Sequence, residues 1–322
     1  MGNRVAVLDV GSHSTRLLVA DIGPEYRMVT LRKELIPTRM AEGLSMARTI
    51  SWAAIERTSE AMQKLLRVAH EDGVTRVFCF ATAAVRDAEN RDDVIVRISH
   101  ETGQLLDVLS DADEAGVGYF GIDGTGARGI IDIGGGSTEI ALGSEDMPSA
   151  VASMPLGTVR ALDKFPLGNE LPDQLTMEAM GQWLERVMRD QTPGMAAKAK
   201  ALSPMRWHGM GGTITTLAAV DQSLATYKSD RVQGYVLTRP KVDALFTRLS
   251  VLTVAQRKTV IGLSPERADI ILGGLMILRT FMEMFGISVV QASEKDNLDG
   301  YLRMKLMNEA AHHRENQEGH HD

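Results

Sequence analysis

The sequence contains one pattern twice, as VAVLDVGSHSTRLLVA at residues 5–20 and as GIIDIGGGSTEIALG at residues 129–143. Each copy is a short apolar strand with an Asp near its end, a Gly-rich turn with Ser and Thr, and a second apolar strand. Asp9 corresponds to Asp132 in this alignment. One such turn would be typical of an ordinary hairpin. Two matching copies indicate a duplicated domain whose two turns face each other across a cleft.

The composition of both turns is suited to phosphate binding. Glycines let the backbone approach an anion and direct its N–H groups at it, and Ser and Thr hydroxyls add donors. A carboxylate at the strand end would repel a bare phosphate. Asp9 and Asp132 are therefore better explained as ligands of a divalent cation or of a water. Polyphosphate substrates normally carry such a cation.

Composition limits the class of protein. The chain has 322 residues, enough for two domains, with 44% hydrophobic and 24% charged residues. Its net charge of −7 argues against a general nucleic-acid or membrane-surface partner, which usually needs a basic surplus. The single Cys79 excludes an intramolecular disulfide and fits a cytoplasmic protein. The first strand leaves no room for a signal peptide, and the apolar run 270–278 is too short for a membrane span.

Apolar spacing and turn residues predict an α/β protein with two similar domains. We place the boundary in the loop 123–126, so that the domains cover residues 1–122 and 123–311. A final helix over about 296–309 is expected to pack back on the first domain. Ser264-Pro265-Glu266 is typical of a helix start. Residues 312–322, with four of the eight histidines, are expected to form a disordered tail.

Several motifs in order along the chain resemble the exopolyphosphatase / guanosine pentaphosphate phosphohydrolase family. The resemblance covers about residues 3 to 304, which is nearly the whole chain. Its motifs lie at residues 9–16, 40–44, 81–90, 113–115, 132–139, 155–160, 209–213 and 234–237. The family belongs to the superfamily of actin, hexokinase and acetate kinase. The resemblance therefore implies two ribonuclease-H-like (actin-like ATPase) domains with a cleft between them, and a homodimer.

The resemblance also implies roles for individual residues. Glu114 would activate the attacking water, while Asp111 and Asp113 are better explained as acids favoured by the helix dipole. Mg²⁺ or another divalent cation would be held by Asp132, Glu139 and Asp9. The phosphate-binding residues would be Gly11, Ser12, His13, Ser14, Thr15, Arg16, Arg86, Gly134, Gly135, Gly136, Ser137, Thr138, Gly211, Gly212 and Thr213, with the two arginines as bidentate clamps.

The sequence departs from the family pattern at two places that concern phosphate binding. His13 replaces an Asn of the first turn and adds a pH-sensitive charge. Residues 293–297 read Ser-Glu-Lys-Asp-Asn where relatives often have Ser-Asp-Arg-Gly. The phosphate contact of that family arginine therefore does not carry over, and Lys295 is its candidate replacement.

These observations predict an exopolyphosphatase that releases terminal phosphate from inorganic polyphosphate. Hydrolysis of guanosine pentaphosphate is the alternative within the family. Two alternatives belong to other classes: a kinase of the same superfamily that uses residues 209–213 as a nucleotide-binding turn, and a non-catalytic sensor of polyphosphate or an alarmone. Phosphate release without an acceptor would separate hydrolysis from both.

Overall fold

The described residues form two β-sheets that share one topology over five strands, and the second sheet has a sixth strand at its edge. The computed structural model describes residues 3–122, 126–144 and 147–318. The first sheet has the strand order β3-β2-β1-β4-β5, and the second has β10-β11-β9-β6-β7-β8. The strands are β1 Asn3–Val10, β2 Ser14–Ile22, β3 Met28–Pro37, β4 Arg76–Ala81, β5 Asp107–Val108, β6 Arg128–Ile133, β7 Thr138–Gly143, β8 Ala150–Met154, β9 Arg206–Met210, β10 Val236–Thr238 and β11 Val289–Ala292.

The repeated sequence pattern forms the same three-stranded unit in both sheets. Strands β1, β2 and β3 pair antiparallel, as do β6, β7 and β8. A parallel strand then joins the first strand of each unit, β4 beside β1 and β9 beside β6. The register pairs Asp9 with Arg16 and Asp132 with Glu139 across the two hairpins. The two Gly-rich turns therefore occupy equivalent corners of their sheets.

Helices connect and cover the strands. They are α1 Leu44–Ala47, α2 Trp52–Glu71, α3 Ala83–Asp87, α4 Arg91–Thr102, α5 Asp111–Gly121, α6 Thr158–Lys164, α7 Gln174–Gln191, α8 Met195–Ala201, α9 Gly211–Asp221, α10 Ser229–Val232, α11 Arg239–Ser250, α12 Val254–Arg257, α13 Ile271–Met284 and α14 Asn297–Glu318. Helix α2 has the expected N-cap, since Ser51 Oγ accepts a hydrogen bond from Ala54 N at 3.2 Å.

Five layers stack in the order helices, first sheet, helices, second sheet, helices. Alternate residues of β1 and β2 point to opposite faces of the first sheet, so α2 and α4 cover one face and α14 covers the other. Helix α5 lies between α14 and the second sheet, where Tyr119 packs on Ile130 and Ala141. Helices α7, α9, α11 and α13 cover the outer face of the second sheet.

The chain crosses twice between the two halves, which we define as residues 3–122 and 126–318. Helix α14 follows the last strand of the second sheet and packs on the first sheet. There Leu298, Tyr301 and Leu302 are buried against Val5 and Val7. It lies very close to α5, because a Cβ at Gly300 would be 1.8 Å from Val117 O. Helix α14 therefore completes the hydrophobic core of the first half.

Two helix predictions differ from the structure. Residues 265–267 form a short 3-10 turn, and α13 starts only at Ile271, because the Ser264 hydroxyl bonds to the Glu266 carboxylate and the chain then turns again. The final helix reaches Glu318 rather than residue 309, and residues 319–322 of the expected tail lie outside the described residues. Within the described ranges, no helix combines the length and the apolar character needed to cross a membrane.

Candidate active site

A cleft of about 430 Å³ lies between the two halves where their Gly-rich turns meet. It is lined by both turns, by the N-terminus of α9, by Glu114 of α5 and by the segment that joins β11 to α14. Most of the predicted site residues thus come together from four distant parts of the sequence, the two turns, α5 and the start of α9.

The first turn, residues 11–14, is held by its carbonyl groups. The N–H groups of Thr38 and Arg39 donate to His13 O at 3.0 and 2.8 Å, and Ala41 N donates to Ser12 O at 2.9 Å. The N–H groups of Ser12 and His13 have no hydrogen-bond partner within the described part of the chain. The turn therefore presents donors to the cleft.

The second turn, residues 134–137, is held in the same way by the start of α6. Thr158 N donates to Gly134 O at 2.9 Å, and Val159 N donates to Gly135 O at 2.9 Å. Among the described residues, the N–H groups of Gly135 and Gly136 have no partner. The two turns therefore repeat one arrangement, in which carbonyls bind the scaffold and amides remain available for an anion.

The two turns face each other, as the sequence predicts, and they are in contact. A Cβ at Gly135 would lie 2.9 Å from Ser12 Cβ, and one at Gly136 would lie 2.5 Å from Ser12 Oγ. Glycine is therefore required at both positions by the close approach of the partner turn.

A third group of donors comes from the N-terminus of α9. The first N–H groups of a helix have no partner inside the helix, and the dipole there favours anions. Arg267 lies over this end, since a Cβ at Gly212 would be 1.9 Å from its Nη1. Gly211 has φ +79° and approaches Asp132, with a Cβ there 2.5 Å from Asp132 Oδ1.

Sequence analysis missed Arg267, although it lines the cleft. Its guanidinium has no ion pair or hydrogen bond to any described residue, and burial together with repulsion from Arg16 lowers its pKa to about 10. It remains charged at neutral pH and is free to bind an anion. The only sequence signal was its position after Pro265-Glu266, which indicated a helix start.

Glu114 has the surroundings expected of a base. It lies in the first turn of α5 and is 4% exposed, and its Oε2 accepts a hydrogen bond from Arg86 Nη1 at 2.6 Å. Burial raises the pKa of Glu114 to about 7 against the opposing charge of Arg86, and Asp132 and Asp9 raise it further. Ser110 caps the helix by accepting a hydrogen bond from Asp113 N, and Asp113 lies in the first turn, as expected, where it accepts one from the Ser110 hydroxyl.

The remaining acids repel one another. Burial raises the pKa of Asp132 to about 7, with Arg16 opposing and Asp296 and Asp9 adding to the rise. Burial, followed by repulsion from Glu114 and Asp132, raises the pKa of Glu139 well above its usual value. Burial also raises the pKa of Asp9, which Arg16 opposes. These carboxylates would gain from a cation placed among them.

The residues present fit a divalent cation that the substrate helps to bind. No cluster of three or more His, Cys, Asp or Glu side chains in the described ranges forms a metal site by itself. However, Asp9 Oδ1 is buried without a hydrogen-bond partner in the same ranges. Mg²⁺ commonly uses one or two carboxylates together with phosphate oxygens and water, so a complete protein cage is not required. The charged residues of the cleft are Asp9, Glu34, Glu114, Asp132, Glu139, Glu294, Asp296, Arg16, Lys33 and Arg267, seven acids against three bases.

Arg16 and Arg86, the two arginines expected to bind phosphate, have other partners in the structure. Arg16 lines the cleft, but its guanidinium is paired with Asp9 and, at 2.5 Å, with Asp296 Oδ2. Arg86 does not line the cleft. It lies behind Glu114 and also pairs with Asp111 at 2.6 Å. Both therefore position carboxylates, because the buried acids require compensation.

Three other expectations about the turns need correction. The Thr138 hydroxyl donates to Leu156 O, and the Thr15 hydroxyl faces Thr38 Oγ1 at 3.5 Å, so neither side chain lines the cleft. His13 carries no charge at neutral pH, since burial, with Arg267 and Arg39 nearby, lowers its pKa to about 4. Of the remaining predicted residues, the cleft wall contains Gly11, Ser12, Ser14, Gly134, Gly135, Gly136, Ser137, Gly211, Gly212 and Thr213.

The altered segment 293–297 contributes two acids, Glu294 and Asp296, rather than a base to the cleft. Asp296 and Asn297 line it, whereas Lys295 does not. Although burial alone would raise its pKa, Arg16 and Lys33 lower the pKa of Asp296. Sequence analysis missed this residue, because its partner Arg16 is 280 residues away along the chain.

Comparison with known proteins identifies the family. The profile of the Ppx/GppA phosphatase family matches residues 7–308. The chain belongs to this family. A crystal structure described as that of the Aquifex aeolicus member of the Ppx/GppA family superposes with a TM-score of 0.76 and 26% identity, covering 96% of this chain and 99% of that one. The predicted fold of two actin-like domains is confirmed.

Curated relatives of this Ppx/GppA member carry related names. Exopolyphosphatase 2 of Mycobacterium tuberculosis is 31% identical over 316 residues, which cover 92% of this chain and 97% of that protein. A bifunctional 3-dehydroquinate synthase/phosphatase of Fusobacterium nucleatum is 28% identical over 313 residues. That alignment covers 92% of this chain and 46% of the relative, so the chain spans about half of its length. Family membership supports the predicted enzyme class, a hydrolase of phosphoanhydride bonds.

Proposed function

We propose that this Ppx/GppA member is an exopolyphosphatase that removes the terminal phosphate from inorganic polyphosphate. The observation that carries the proposal is the convergence of two turns with unpaired amides, the N-terminus of α9 and a buried carboxylate on one cleft. The name of the Mycobacterium tuberculosis relative supports the choice of substrate.

In this proposal the terminal phosphoryl group binds between the two turns. The amides of Ser12, His13, Gly135 and Gly136 donate to its oxygens, and Arg267 with the start of α9 holds the neighbouring phosphate. These donors are fixed before the substrate arrives, because their carbonyl groups are already bound to the scaffold. Fixed donors stabilise developing charge without having to reorient during the reaction.

Glu114 takes a proton from the attacking water. The water oxygen forms a bond to the terminal phosphorus as the bond to the bridging oxygen breaks, and the electron pair of that bond goes to the shortened chain. Arg86 occupies Oε2 of Glu114. Oε1 is therefore the oxygen that accepts the proton. A base with a pKa near 7 suits catalysis at neutral pH.

Asp132, Glu139 and Asp9 would hold a divalent cation together with the substrate. Such an ion neutralises phosphate charge, which this cleft needs because its acids outnumber its bases. The surplus of acids would otherwise repel a polyphosphate chain.

Guanosine pentaphosphate is the second candidate substrate. Tyr227 lines the cleft with its side chain half exposed, and an aromatic ring at that position could stack on a base. We also propose a cytoplasmic location, in keeping with the one buried thiol, and a homodimer, in keeping with the family resemblance.

The test is a phosphate-release panel with short and long polyphosphates, guanosine pentaphosphate and ATP, each with Mg²⁺ and with a chelator. We expect release from long polyphosphate without any acceptor, and loss of release in the chelator. Release from guanosine pentaphosphate alone would assign the second activity. Transfer of phosphate from ATP to an acceptor would assign a kinase, and binding without turnover would assign a sensor.

A further inference from the structure

A second cavity of about 260 Å³ adjoins the contact between the two turns. We call it the rear cavity. It shares Ser12 and Gly136 with the cleft, while the rest of its wall comes from residues that do not line the cleft, namely Ala41, Leu44 and Arg48 and two residues each of α3 and α6. The contact between Ser12 and Gly136 is therefore the partition between the two spaces.

This partition is thin, and its parts belong to different halves of the molecule. Gly136 has no side chain, and a Cβ there would lie 2.5 Å from Ser12 Oγ and 3.1 Å from Ala83 Cβ. Ser12 and Ala83 belong to the first half, and Gly136 belongs to the second. A small separation of the halves would therefore join the rear cavity to the cleft.

The wall of the rear cavity carries a link between the halves, and it contains two arginines, Arg48 and Arg160, together with two acids, Asp87 and Asp163. Arg160 Nε donates to Gly136 O at 2.9 Å, and its Nη2 pairs with Asp87 Oδ2 at 2.5 Å across the halves. Arg48 also lines this cavity. Arg160 is therefore the guanidinium group that an anion passing the second turn would meet, while the Arg48 guanidinium pairs with Glu89 at 2.8 Å.

We propose that the rear cavity is the exit for orthophosphate. The inference rests on the proposed function, in which the terminal phosphate lies at the turns and the rest of the chain fills the cleft. Once the terminal bond breaks, the shortened chain blocks the way back through the cleft. Orthophosphate leaves past Ser12 and Gly136 into the rear cavity, so the chain can stay bound and advance by one unit.

The experiment plugs the rear cavity and follows cleavage and release separately. Asp163 lines this cavity, and the native Cys79 is buried, so Asp163→Cys in the full chain can be labelled selectively with a bulky maleimide. The control is Asp92→Cys with the same label, because the Asp92 side chain is 88% exposed on α4 and lines neither cavity. Long polyphosphate with Mg²⁺ is the substrate. Acid quench measures total phosphate formed, and a fluorescent phosphate-binding reporter measures free phosphate.

Within the first turnover of the labelled Asp163→Cys protein, free phosphate should appear about tenfold more slowly than total phosphate, as for a slow product-release step. The two should coincide in the labelled control. Coincidence in both proteins would overturn the exit. Slower cleavage with no delay between cleavage and release would also overturn it, since the cavity would then hold substrate.

A plug that needs no label keeps the test independent of the chemistry at residue 163. Leu44→Trp enlarges a side chain in the wall of the rear cavity, and the same delay is expected. If neither plug delays release while cleavage continues, the exit is wrong and the proposed function stands. If unmodified protein releases no phosphate from polyphosphate, the proposed function itself has failed.

Discussion

Glu114 is buried beside one cation and several anions, and these surroundings raise its pKa to about 7. Glu114→Gln keeps the size of the side chain and a hydrogen bond to Arg86 but removes the basic oxygen. We expect turnover to fall about 10²- to 10⁴-fold with little change in half-saturation, the usual range for a lost general base. Steady-state phosphate release measures it. Turnover close to that of the unmodified protein would exclude Glu114 as the base.

Arg86 controls the acidity of that base. Its charge lowers the pKa of Glu114, so Arg86→Ala should raise this pKa further. Because the base must be deprotonated to act, the acid limb of the profile of turnover against pH should move to higher pH. Arg86→Lys keeps the charge and should move it less. Equal profiles for both variants would contradict this role.

Arg267 is the cleft cation that has no partner among the described residues, so a substrate phosphate can take it without breaking an ion pair. Arg267→Ala should raise the half-saturation concentration for polyphosphate about 10- to 100-fold, as expected for a lost charged hydrogen bond. Arg67→Ala, on the exposed face of α2, is the matched control. If both variants bind alike, Arg267 does not contact the substrate.

At the scale of elements, the two turns depend on each other as well as on their own strands. Gly136→Ala would place a Cβ 2.5 Å from Ser12 Oγ and push the turns apart. We expect a large loss of turnover with the fold retained. Gly116→Ala is the control, because nothing lies within 4 Å of a Cβ there and alanine favours the helix α5. Circular dichroism and phosphate release, measured on both variants, would show whether the loss is local.

The elements differ in how far the sequence could predict them. The hairpins and turns were predictable because the Asp, the glycines and the apolar alternation are neighbours in sequence and act locally. The break in the helix after Pro265 was not predictable from the sequence, because it brings Arg267 close to Gly212, which belongs to another element. Likewise, the sequence pattern predicted that Arg16 binds phosphate. Its ion pair with Asp296 could not be predicted, because the two residues are far apart in the sequence.

Across the whole molecule, the buried acids make stability depend on pH. An acid with a raised pKa keeps its proton in the folded state where the unfolded chain has lost it, so its stabilising effect is complete at low pH and disappears as pH rises through the folded value. For Glu114 and Asp132 that value is about 7. Without divalent cations, the free energy of unfolding should therefore fall between about pH 4, near the ordinary pKa of these acids, and about pH 7.

Denaturant titrations at several pH values measure this fall. Asp132→Asn should make it shallower, and added Mg²⁺ should restore stability at the higher pH if the ion binds among these carboxylates. A free energy of unfolding that does not change over this range, in the presence of a chelator, would contradict the repulsion between the acids.

The return of α14 to the first sheet has a consequence for biosynthesis. While the ribosome is still making the second half, Val5, Val7 and Leu18 belong to a sheet whose inner face lacks most of its cover, since α14 is translated after the last strand of the second sheet. The nascent first half thus carries an open apolar surface for most of its synthesis. Its maturation therefore waits for the synthesis of α14, and an early stop codon anywhere before α14 would leave a product prone to capture by chaperones and to aggregation.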